Sequence, residues 1–402
     1  MSGMVIIGAG HAAGQAAASL RQEKYEGPIT IIGDESHVPY QRPPLSKQYL
    51  SGEQQIERVY LRPQKFYDDK EITLKLGVTA TAIDREAKTV SADDGETIGY
   101  DKLIISTGSR PRILNIEGSD LPGIHYLRTI ADVDAIRAEM QAGKSLVIVG
   151  GGYIGLEVAS VGVEAGLDVH VVEMESRILQ RVTTPEMSHY YHNLHEGRGV
   201  HIHTDTLVSG FAGSGRVEQV LCGDAGEFDA DLVIVGIGII PNTELAEAAG
   251  LDCDNGIVVD DHCQTSDPDI YAAGDCTNHP NPLLNRRLRL ESVPNAMEQA
   301  RVCAKNMLGG DNSYAAMPWF WSDQYELKLQ MVGFSADGDE HILRGSVEDN
   351  QFAVFYLNNG KVVAADAVNS PKEFMVCKQL IGKEVDAIAL ADPETDLKEL
   401  LS

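Results

Sequence analysis

The sequence has few cysteines, no long apolar run and a shortage of positive charge, and each shortage excludes a class of protein. The six cysteines form no C-x-x-C pair, so no metal site and no thioredoxin-type disulfide is predicted, and most should be ordinary buried thiols. No apolar run approaches the ~20 residues of a membrane-spanning helix. The sequence enters an apolar run at once, without a basic region or a cleavage-site pattern, and we therefore expect a cytoplasmic protein.

Basic residues are outnumbered by acidic ones, 33 against 60, which gives a formal net charge of −27. So acidic a surface argues against nucleic-acid binding, because the sequence contains no strong basic cluster to offset it. An acidic protein partner would have to dock on a local patch of opposite sign. At 402 residues the chain is too long for one core, and two or three domains are expected.

The most informative sequence pattern lies at residues 146–173. An apolar run leads into the spacing G-x-G-x-x-G, a helical pattern follows, and a second apolar run ends at an acid. This order predicts a strand, a tight glycine turn, a helix whose N-terminus offers N–H groups to a pyrophosphate, and a second strand. The glycines are Gly150, Gly152 and Gly155, and the acid is Glu173.

Glu173 indicates which nucleotide this unit binds. A carboxylate at the end of the second strand accepts hydrogen bonds from both ribose hydroxyls and repels a 2′-phosphate, and Glu175 adds a second negative charge. Arg177 is the nearby cation; we interpret it as the surface partner of a local carboxylate rather than as a phosphate ligand. NADH is therefore the expected nucleotide.

A second copy of the pattern occupies residues 4–35. Two such units imply two dinucleotide sites, or a duplicated fold in which one site is lost. A unit whose first strand is the chain's own terminus is usual where FAD is the resident cofactor, and an acid at 34 or 35 would hold the adenosine ribose. The turn is Gly8, Gly10 and Ala13 in the spacing G-x-G-x-x-A, the helix runs to about Glu23, and the acids are Asp34 and Glu35.

Residues 38–50, VPYQRPPLSKQYL, follow the first unit. Pro43 and Pro44 stiffen the backbone, and a helix is expected to begin near Leu45 with Ser46 and Lys47 in its first turn. Taken alone, the segment fits a capped surface loop with an incidental lysine. Its position after the first nucleotide unit favours a functional lysine.

Apolar and alternating runs predict further elements. Thr129 is a plausible N-cap for a helix in the segment 125–140. Asp275 follows a short buried strand, where it can accept a hydrogen bond from a sugar-alcohol hydroxyl, act as a helix N-cap, or do both. Strands are predicted at 76–83, 89–103, 103–108, 232–242 and 270–273, with a turn at 93–95.

From about residue 316 the composition changes, and both tryptophans lie in the first ten residues that follow. Alternating runs at 352–356 and 362–367 predict antiparallel strands, with helices at 371–382 and 393–401. Trp319 and Trp321 would ordinarily be core residues. They matter here because they begin the domain expected to cover a flavin.

Taken together, these features resemble the FAD- and NADH-dependent ferredoxin reductases of bacterial oxygenase systems, the putidaredoxin-reductase-like group. The resemblance covers nearly the whole chain, and Ala13, where a third glycine is common, is a departure that the fingerprint allows. The motifs that carry it are GAGHAAG (8–14), PYQRPPLSK (39–47), STGSRPR (106–112), YLRT (126–129), GGGYIGLEVA (150–159), TSDPDIYAAGD (265–275), ESVPNAMEQAR (291–301) and PWFWSDQYE (318–326).

The resemblance implies an α/β fold with two Rossmann-like dinucleotide-binding domains, glutathione-reductase-like, and a small α+β C-terminal domain. The implied boundaries are 1–108 and 239–315 for the FAD domain, 109–238 for the NAD domain and 316–402 for the C-terminal domain. The implied reaction passes electrons from NADH through FAD to a two-iron ferredoxin that serves a monooxygenase or a dioxygenase.

The resemblance also implies roles for single residues. Lys47 falls on the lysine beside the flavin N5 atom, Glu157 on the carboxylate that pairs with it, and Trp321 on the aromatic residue near the flavin edge that faces the protein partner. Implied contacts to FAD are Gly8, Gly10, Ala12, Ala13, Asp34, Glu35, Arg42, Lys47, Ala80, Arg128, Asp275 and Val293. Implied contacts to the nicotinamide nucleotide are Gly150, Gly152, Ile154, Gly155, Glu173 and Gly236. Candidates for ferredoxin docking are Arg62, Arg301, Lys378 and Lys383.

Two other functions are compatible with two nucleotide units. Disulfide, peroxide or oxygen reductases need a reactive cysteine near the flavin, and the first 220 residues contain none. A redox-controlled binding protein, similar to apoptosis-inducing-factor-like flavoproteins, would be expected to carry extra targeting segments. Ferredoxin reduction is therefore the favoured interpretation.

Overall fold

The structure is a computed structural model that describes residues 2–401. Its strands are β1 Gly3–Ile7, β2 Ile29–Gly33, β3 Ile72–Leu76, β4 Ala80–Asp84, β5 Thr89–Ala92, β6 Thr97–Ile105, β7 Ser109–Pro111, β8 Ile124–Tyr126, β9 Ser145–Val149, β10 Asp168–Val172, β11 Val200–His203, β12 Gly210–Ala212, β13 Gln219–Leu221, β14 Glu227–Asp229, β15 Leu232–Val235, β16 Ile239–Pro241, β17 Ile257–Val258, β18 Ile270–Ala272, β19 Thr277–Asn281, β20 Arg286–Leu288, β21 Trp319–Gln324, β22 Leu327–Gly333, β23 Glu340–Ser346, β24 Gln351–Asn358 and β25 Lys361–Val368.

The α-helices are α1 His11–Gln22, α2 Ile56–Val59, α3 Gln64–Asp69, α4 Ile130–Glu139, α5 Tyr153–Glu164, α6 Pro185–Gly197, α7 Glu244–Ala248, α8 Val293–Met307, α9 Pro371–Leu380 and α10 Ala387–Ala391. Short 3₁₀ turns occupy Pro43–Ser46, Gly223–Ala225, Ser335–Asp337 and Leu397–Leu401. Within residues 2–401, no helix is long and apolar enough to cross a membrane.

The chain forms two compact units. The first comprises residues 1–42, 55–110 and 239–318. Its main sheet has the order β3-β2-β1-β6-β5-β4, with β18 also paired to β6. Strands β3, β2, β1, β6 and β18 run parallel, and β4 and β5 form an antiparallel excursion. All five residues of β1 are buried, as expected for a parallel strand that is covered on both faces.

The second unit comprises residues 43–54, 111–238 and 319–402. A parallel sheet of order β11-β10-β9-β15-β8 carries the second glycine turn, and a three-stranded antiparallel sheet, β12-β13-β14, lies in the same unit. Its C-terminal part is an antiparallel sheet of order β21-β22-β25-β24-β23 with helices α9 and α10. The predicted fold class is confirmed, since two strand–turn–helix–strand units lie in parallel sheets and a small α+β part follows. The four domain boundaries inferred from the sequence stay a prediction.

Before the C-terminal part, three predicted elements are wrong in their bounds, and each has a local cause. The strand predicted at 76–83 breaks because Gly77 has a left-handed φ of +68°, and the strand predicted at 232–242 breaks before Gly238, whose φ is +104°. The helix predicted near Leu45 is a 3₁₀ turn, Pro43–Ser46, whose first two residues lack an N–H donor.

At the C-terminus, the predicted helix 371–382 is confirmed as α9, Pro371–Leu380. The helix predicted at 393–401 is reduced to the 3₁₀ turn Leu397–Leu401. Helix α10 was not predicted, although its N-cap is visible in the sequence: the Asp386 side chain accepts a hydrogen bond from the N–H of Ile388.

Candidate nucleotide and electron-transfer sites

The first glycine turn is built as an anion cradle at the start of α1. Gly8 has a φ of +99°, and a Cβ there would lie 2.2 Å from the carbonyl oxygen of Ser106, so only glycine fits. At Gly10, by contrast, a Cβ would meet nothing within 4 Å. Gly10 is the N-cap and offers no side-chain cap, and the first turn of α1 contains no acid. The backbone N–H groups therefore face open space that suits a pyrophosphate.

The second glycine turn repeats this construction at the start of α5. Gly150 has a φ of +110°, and its Cβ would lie 2.5 Å from the carbonyl oxygen of Gly236. Gly152 is the N-cap, with open space where its Cβ would be and with no acid in the first turn. Gly155 lets the helix approach the turn, since a Cβ there would lie 2.2 Å from the oxygen of Gly150. Both turns thus fit a dinucleotide.

The two turns differ in the position of the acid. The N–H of Gly8 donates to the carbonyl oxygen of Ile32 at 2.7 Å, and the N–H of Gly150 donates to that of Val172 at 2.8 Å. Ile32 in the first unit is therefore equivalent to Val172 in the second. Glu173 is therefore the counterpart of Gly33. The first acid of the FAD unit, Asp34, comes one residue later.

Glu173 is held in place by the backbone. Its carboxylate accepts hydrogen bonds from the N–H of Gly151 at 2.7 Å and from the N–H of Glu175 at 2.9 Å. It lines a cleft of about 70 Å³ together with Glu175 and Arg181. Arg177 donates to the carbonyl oxygen of Gln180 at 3.1 Å, and no ion pair with a carboxylate is seen for it within the described chain. Alongside a backbone hydrogen bond, its charge nevertheless helps to lower the pKa of Glu186, so Arg177 does act on a local carboxylate, without a direct ion pair. The placement of Glu173 at the turn agrees with its predicted role.

Asp34 and Glu35 lie in different environments. Both oxygens of Glu35 accept hydrogen bonds, one from Arg42 Nη2 at 2.9 Å and the other from the Tyr40 hydroxyl at 2.6 Å. Asp34 is exposed. Of the two predicted acids, Asp34 is therefore the better candidate for the ribose, and Glu35 orients Arg42.

Lys47 and Glu157 form a buried ion pair. Lys47 Nζ lies 2.6 Å from Glu157 Oε2, and the two residues are 8 % and 1 % exposed. Glu157 lies on the buried side of α5, the helix that begins at the second glycine turn. The sequence-based pairing of these residues, 110 positions apart, is reproduced by the geometry.

Two hydroxyls complete this buried carboxylate cluster. Ser46 donates to Glu157 Oε2 at 2.5 Å, and Ser322, on β21, donates to Oε1 at 2.6 Å. Burial raises the pKa of Glu157, and the attraction of Lys47 and the hydroxyl hydrogen bonds oppose that shift. Sequence reasoning missed both serines. They lie inside quoted motifs, but nothing in their spacing reveals a contact across 111 or 165 residues.

Asp275 follows β18 in the first unit. Its Oδ2 accepts a hydrogen bond from the Ser109 hydroxyl at 2.8 Å. The interpretation of Asp275 as a helix N-cap is wrong, because the next element is strand β19 and the N-cap of α8 is Ser292. The predicted contact with a sugar-alcohol hydroxyl stays a prediction.

The remaining predicted cofactor residues lie at element starts or inside α1. Arg128 precedes Thr129, the N-cap of α4, which forms a reciprocal capping box with Asp132, as the sequence indicated for Thr129. Ile154 is apolar and 43 % exposed in the first turn of α5. Ala12 and Ala13 are buried in α1, Ala80 begins β4, and Val293 begins α8.

Trp321 belongs to an aromatic group in the C-terminal part of the second unit. Its ring centroid lies 5.6 Å from that of Trp319, and the Trp319 centroid lies 5.8 Å from that of Phe374. Lys378 Nζ lies 3.8 Å from the centre of the Trp319 ring. Both tryptophans are only half-buried, so they are not simple core residues.

The cysteines are poorly suited to redox catalysis. The described chain contains no disulfide among its six cysteines. Burial raises the pKa of Cys253 and of Cys276 to about 11. Because the thiolate is the reactive form, such thiols are weak nucleophiles at neutral pH.

Known proteins share this arrangement. Residues 2–300 match the family described as pyridine nucleotide-disulphide oxidoreductase, and residues 319–401 match the reductase C-terminal family. Putidaredoxin reductase of Pseudomonas putida is 45% identical over 407 residues, covering 99% of this chain and 96% of that protein. The ferredoxin–NAD(+) reductase component of the anthranilate 1,2-dioxygenase system of Burkholderia cepacia is 44% identical over 405 residues, covering 99% and 98%.

Among solved structures, the covalent complex of putidaredoxin reductase with putidaredoxin gives a TM-score of 0.96 at 45% identity, covering 100% of this chain and 98% of that chain. Family membership brings FAD and NAD(H) as cofactors, which agrees with the two glycine turns. The chain therefore belongs to the pyridine nucleotide-disulphide oxidoreductase family and, within it, to the putidaredoxin-reductase-like ferredoxin reductases.

Proposed function

We propose that this chain takes electrons from NADH through FAD and passes them to a two-iron ferredoxin that serves an oxygenase. The observation that carries the proposal is the pair of glycine turns, each with an uncapped helix N-terminus and open space at its second glycine. Two such cradles can hold two dinucleotides, and electron transfer from one dinucleotide to the other is a reaction that needs both sites. When bound, FAD accepts a hydride from a nicotinamide and releases electrons singly.

The direct test uses the purified holoprotein. Its flavin bands should be bleached by NADH without oxygen, and NADH should reduce a two-iron ferredoxin faster than free FAD does at the same concentration. A ferredoxin rate equal to that background would instead favour a redox-controlled binding protein.

Lys47 is the residue that we assign to the flavin. Its ammonium group is held by Glu157, and that carboxylate is itself fixed by the hydroxyls of Ser46 and Ser322. A cation positioned in a dry environment stabilises negative charge that develops beside it. The task of Glu157 is to hold Lys47 in place.

Lys47→Met should slow flavin reduction about tenfold or more in stopped-flow measurements with NADH, with a smaller effect on NADH binding. Lys65→Met is a matched control, because Lys65 forms only an exposed pair with Asp69. Unchanged reduction kinetics in the Lys47 variant would remove Lys47 from the mechanism.

A preference for NADH over NADPH follows from Glu173. Its carboxylate is fixed by two backbone N–H groups at the edge of the cleft, so it cannot easily swing away from a 2′-phosphate. Arg181 lines the same cleft and would attract that phosphate once the carboxylate is gone. Glu173→Gln should therefore lower kcat/KM for NADH and raise it for NADPH. A variant that loses activity equally with both nucleotides would refute this role.

Ferredoxin docking is proposed for the four basic candidates. Two-iron ferredoxins are usually acidic, and the net charge of −27 opposes association, so basic side chains must offset this repulsion locally. Lys378 lies against Trp319, and Arg62 lies 4.9 Å from the centre of the Phe66 ring. Arg301 is exposed on α8, and Lys383 donates to the carbonyl oxygen of Leu401.

Charge reversal tests this docking. Arg301→Glu and Lys378→Glu should raise the KM for ferredoxin and leave the rate with ferricyanide unchanged, because ferricyanide needs no protein docking. Lys65→Glu is the matched surface reversal. Equal losses with both acceptors would refute the assignment.

We also propose a cytoplasmic location, which is supported by the unpaired state of the six cysteines and by the use of NADH. Cell fractionation with an antibody against the chain tests this location. Recovery of the protein in a secreted fraction would contradict it.

A further inference from the structure

A group of three histidines and one aspartate lies on one face of the nucleotide-binding sheet of the second unit. We propose that Asp168, His170 and His201 form a binding site for a divalent transition-metal ion of the zinc class, with His203 supporting it. One ligand atom from each of the three lies within 4.8 Å of the others. None of these residues belongs to the glycine turns, although the carbonyl oxygen of His203 accepts a hydrogen bond from the N–H of Glu173 at 2.8 Å.

Strand alternation brings the side chains together. His170 on β10 pairs in register with His201 on β11, and Val172 pairs with His203. Residues two apart on a strand share a face, so Asp168 lies on the same face as His170, and His203 on the same face as His201. The sheet is parallel, and parallel strands ordinarily carry apolar residues on both faces.

The distances suit a tetrahedral ion better than direct hydrogen bonds. Asp168 Oδ2 lies 3.6 Å from His170 Nε2, and Asp168 Oδ1 lies 3.4 Å from His201 Nε2. Both exceed the ~3.2 Å limit of ordinary hydrogen bonds. Ligands at ~2.0–2.1 Å from a tetrahedral zinc ion are themselves about 3.4 Å apart, which is close to the separation of each imidazole nitrogen from its nearer Asp168 oxygen. A carboxylate with imidazole nitrogens is a donor set that suits zinc, nickel and copper.

His203 contacts the ring nitrogen of His170 that is not directed at Asp168. His170 Nδ1 lies 3.0 Å from His203 Nε2, and their rings are stacked with centroids 5.3 Å apart. When Nδ1 of neutral His170 donates to His203, the lone pair of His170 Nε2 points to the Asp168 side. The Phe228 ring packs against both imidazoles, with its centroid 4.4 Å from that of His203 and 5.7 Å from that of His170. This is the outer-shell support that a metal-binding histidine ordinarily has.

The site is open to solvent and has the right local charge. The side chains of Asp168 and His201 are 53 % and 56 % exposed, so an ion can reach them and a water can fill the fourth position. The net charge of −27 favours cations in general.

A second group of similar composition provides a contrast. His262 lies with Asp260 and Asp261 in the first unit. Its Nδ1 is 2.9 Å from Asp261, and its Nε2 is 2.7 Å from Asp311. Both ring nitrogens thus already form hydrogen bonds to carboxylates, and no lone pair is left for an ion. His262 serves as the matched control.

Calorimetric titration of EDTA-treated holoprotein, prepared without a histidine tag, tests the proposal. Zinc chloride should bind at one ion per chain, and magnesium chloride should not bind. His201→Ala and Asp168→Asn should each weaken zinc binding more than about tenfold, and His203→Phe about tenfold through the loss of support. His262→Ala should bind zinc as the unmodified protein does.

Two further measurements keep the test independent of folding defects. Zinc should raise the thermal midpoint of the unmodified protein by about 3 °C at tenfold excess over Kd, and should leave that of His201→Ala unchanged. Anomalous diffraction at the zinc edge should place the ion between Asp168, His170 and His201. Equal zinc affinity in the His201 and Asp168 variants, or equal loss in His262→Ala, would overturn the proposal.

Discussion

The Lys47–Glu157 pair predicts that the free energy of unfolding depends on pH with opposite signs in the variants Lys47→Met and Glu157→Gln. In Lys47→Met the carboxylate of Glu157 stays buried without its cation. Removing one member of a buried pair typically costs ~3–5 kcal/mol. The cost has an upper bound, however, because Glu157 can take up a proton instead. With an ordinary pKa of 4.5, protonation at pH 7 costs about 3 kcal/mol, at ~1.36 kcal/mol per pH unit.

This upper bound on the destabilisation of Lys47→Met depends on pH. In Lys47→Met the folded state binds the proton more tightly than the unfolded state, so the free energy of unfolding rises as pH falls. The loss of about 3 kcal/mol at pH 7 should shrink to about 1 kcal/mol at pH 5. In Glu157→Gln the ammonium group of Lys47 is left buried without its carboxylate, and the cost of that buried charge is lower where the proton is lost more easily, at higher pH. That variant should therefore recover as pH rises.

Apparent thermal midpoints at pH 5, 7 and 9, recorded at one scan rate, check both signs. At about 2–4 °C per kcal/mol, Lys47→Met should melt roughly 6–12 °C lower at pH 7 and much less so at pH 5. The double variant Lys47→Met, Glu157→Gln should be less destabilised than the two single losses added together. Additive losses, or equal losses at all three pH values, would show that the two side chains do not interact in the folded protein.

Three other perturbations have expected outcomes. Gly152→Glu should abolish NADH-driven bleaching while the protein keeps its flavin spectrum, because the new carboxylate occupies the open space at the second glycine turn. Loss of the flavin as well would contradict the assignment of this turn to NADH. Thr129→Ala should lower the free energy of unfolding by about 1 kcal/mol through loss of the capping box, and hydrogen exchange in α4 should increase, whereas unchanged exchange would show that the cap is dispensable. Burial raises the pKa of Asp366 to about 6, so the folded protein binds a proton at this carboxyl more tightly than the unfolded chain does. The free energy of unfolding should therefore fall as pH rises from about 4 to 6. Asp366→Asn should remove this pH dependence in thermal melts, and an unaltered profile would assign the dependence to another group.

Local chemistry made the nucleotide units predictable. Gly8 and Gly150 are needed for a left-handed φ, and apolar runs on either side show where the strands are. The breaks at Gly77 and near Gly238 were not predicted, because a glycine inside an apolar run is compatible with either a continuous strand or a turn. Thr129 shows the opposite case, since its capping box involves only neighbours in the sequence.

Contacts between distant residues needed the structure. The pairing of Lys47 with Glu157 could be inferred only from a resemblance, and the hydroxyls of Ser46 and Ser322 not even then. The expectation of no metal site was based on cysteine spacing, which says nothing about imidazoles. The alternation around His170 and His201 is visible in the sequence, but their adjacency depends on which strands pair.

The way in which the chain is shared between the two units has a consequence for any attempt to dissect the protein. It passes from one unit to the other after residues 42, 54, 110, 238 and 318, so each unit is assembled from three separate pieces. Truncation of the gene at any codon before 318 would therefore leave both units incomplete, whereas truncation after residue 318 would shorten only the second unit. Limited proteolysis should yield nicked but associated fragments rather than a freely folding half.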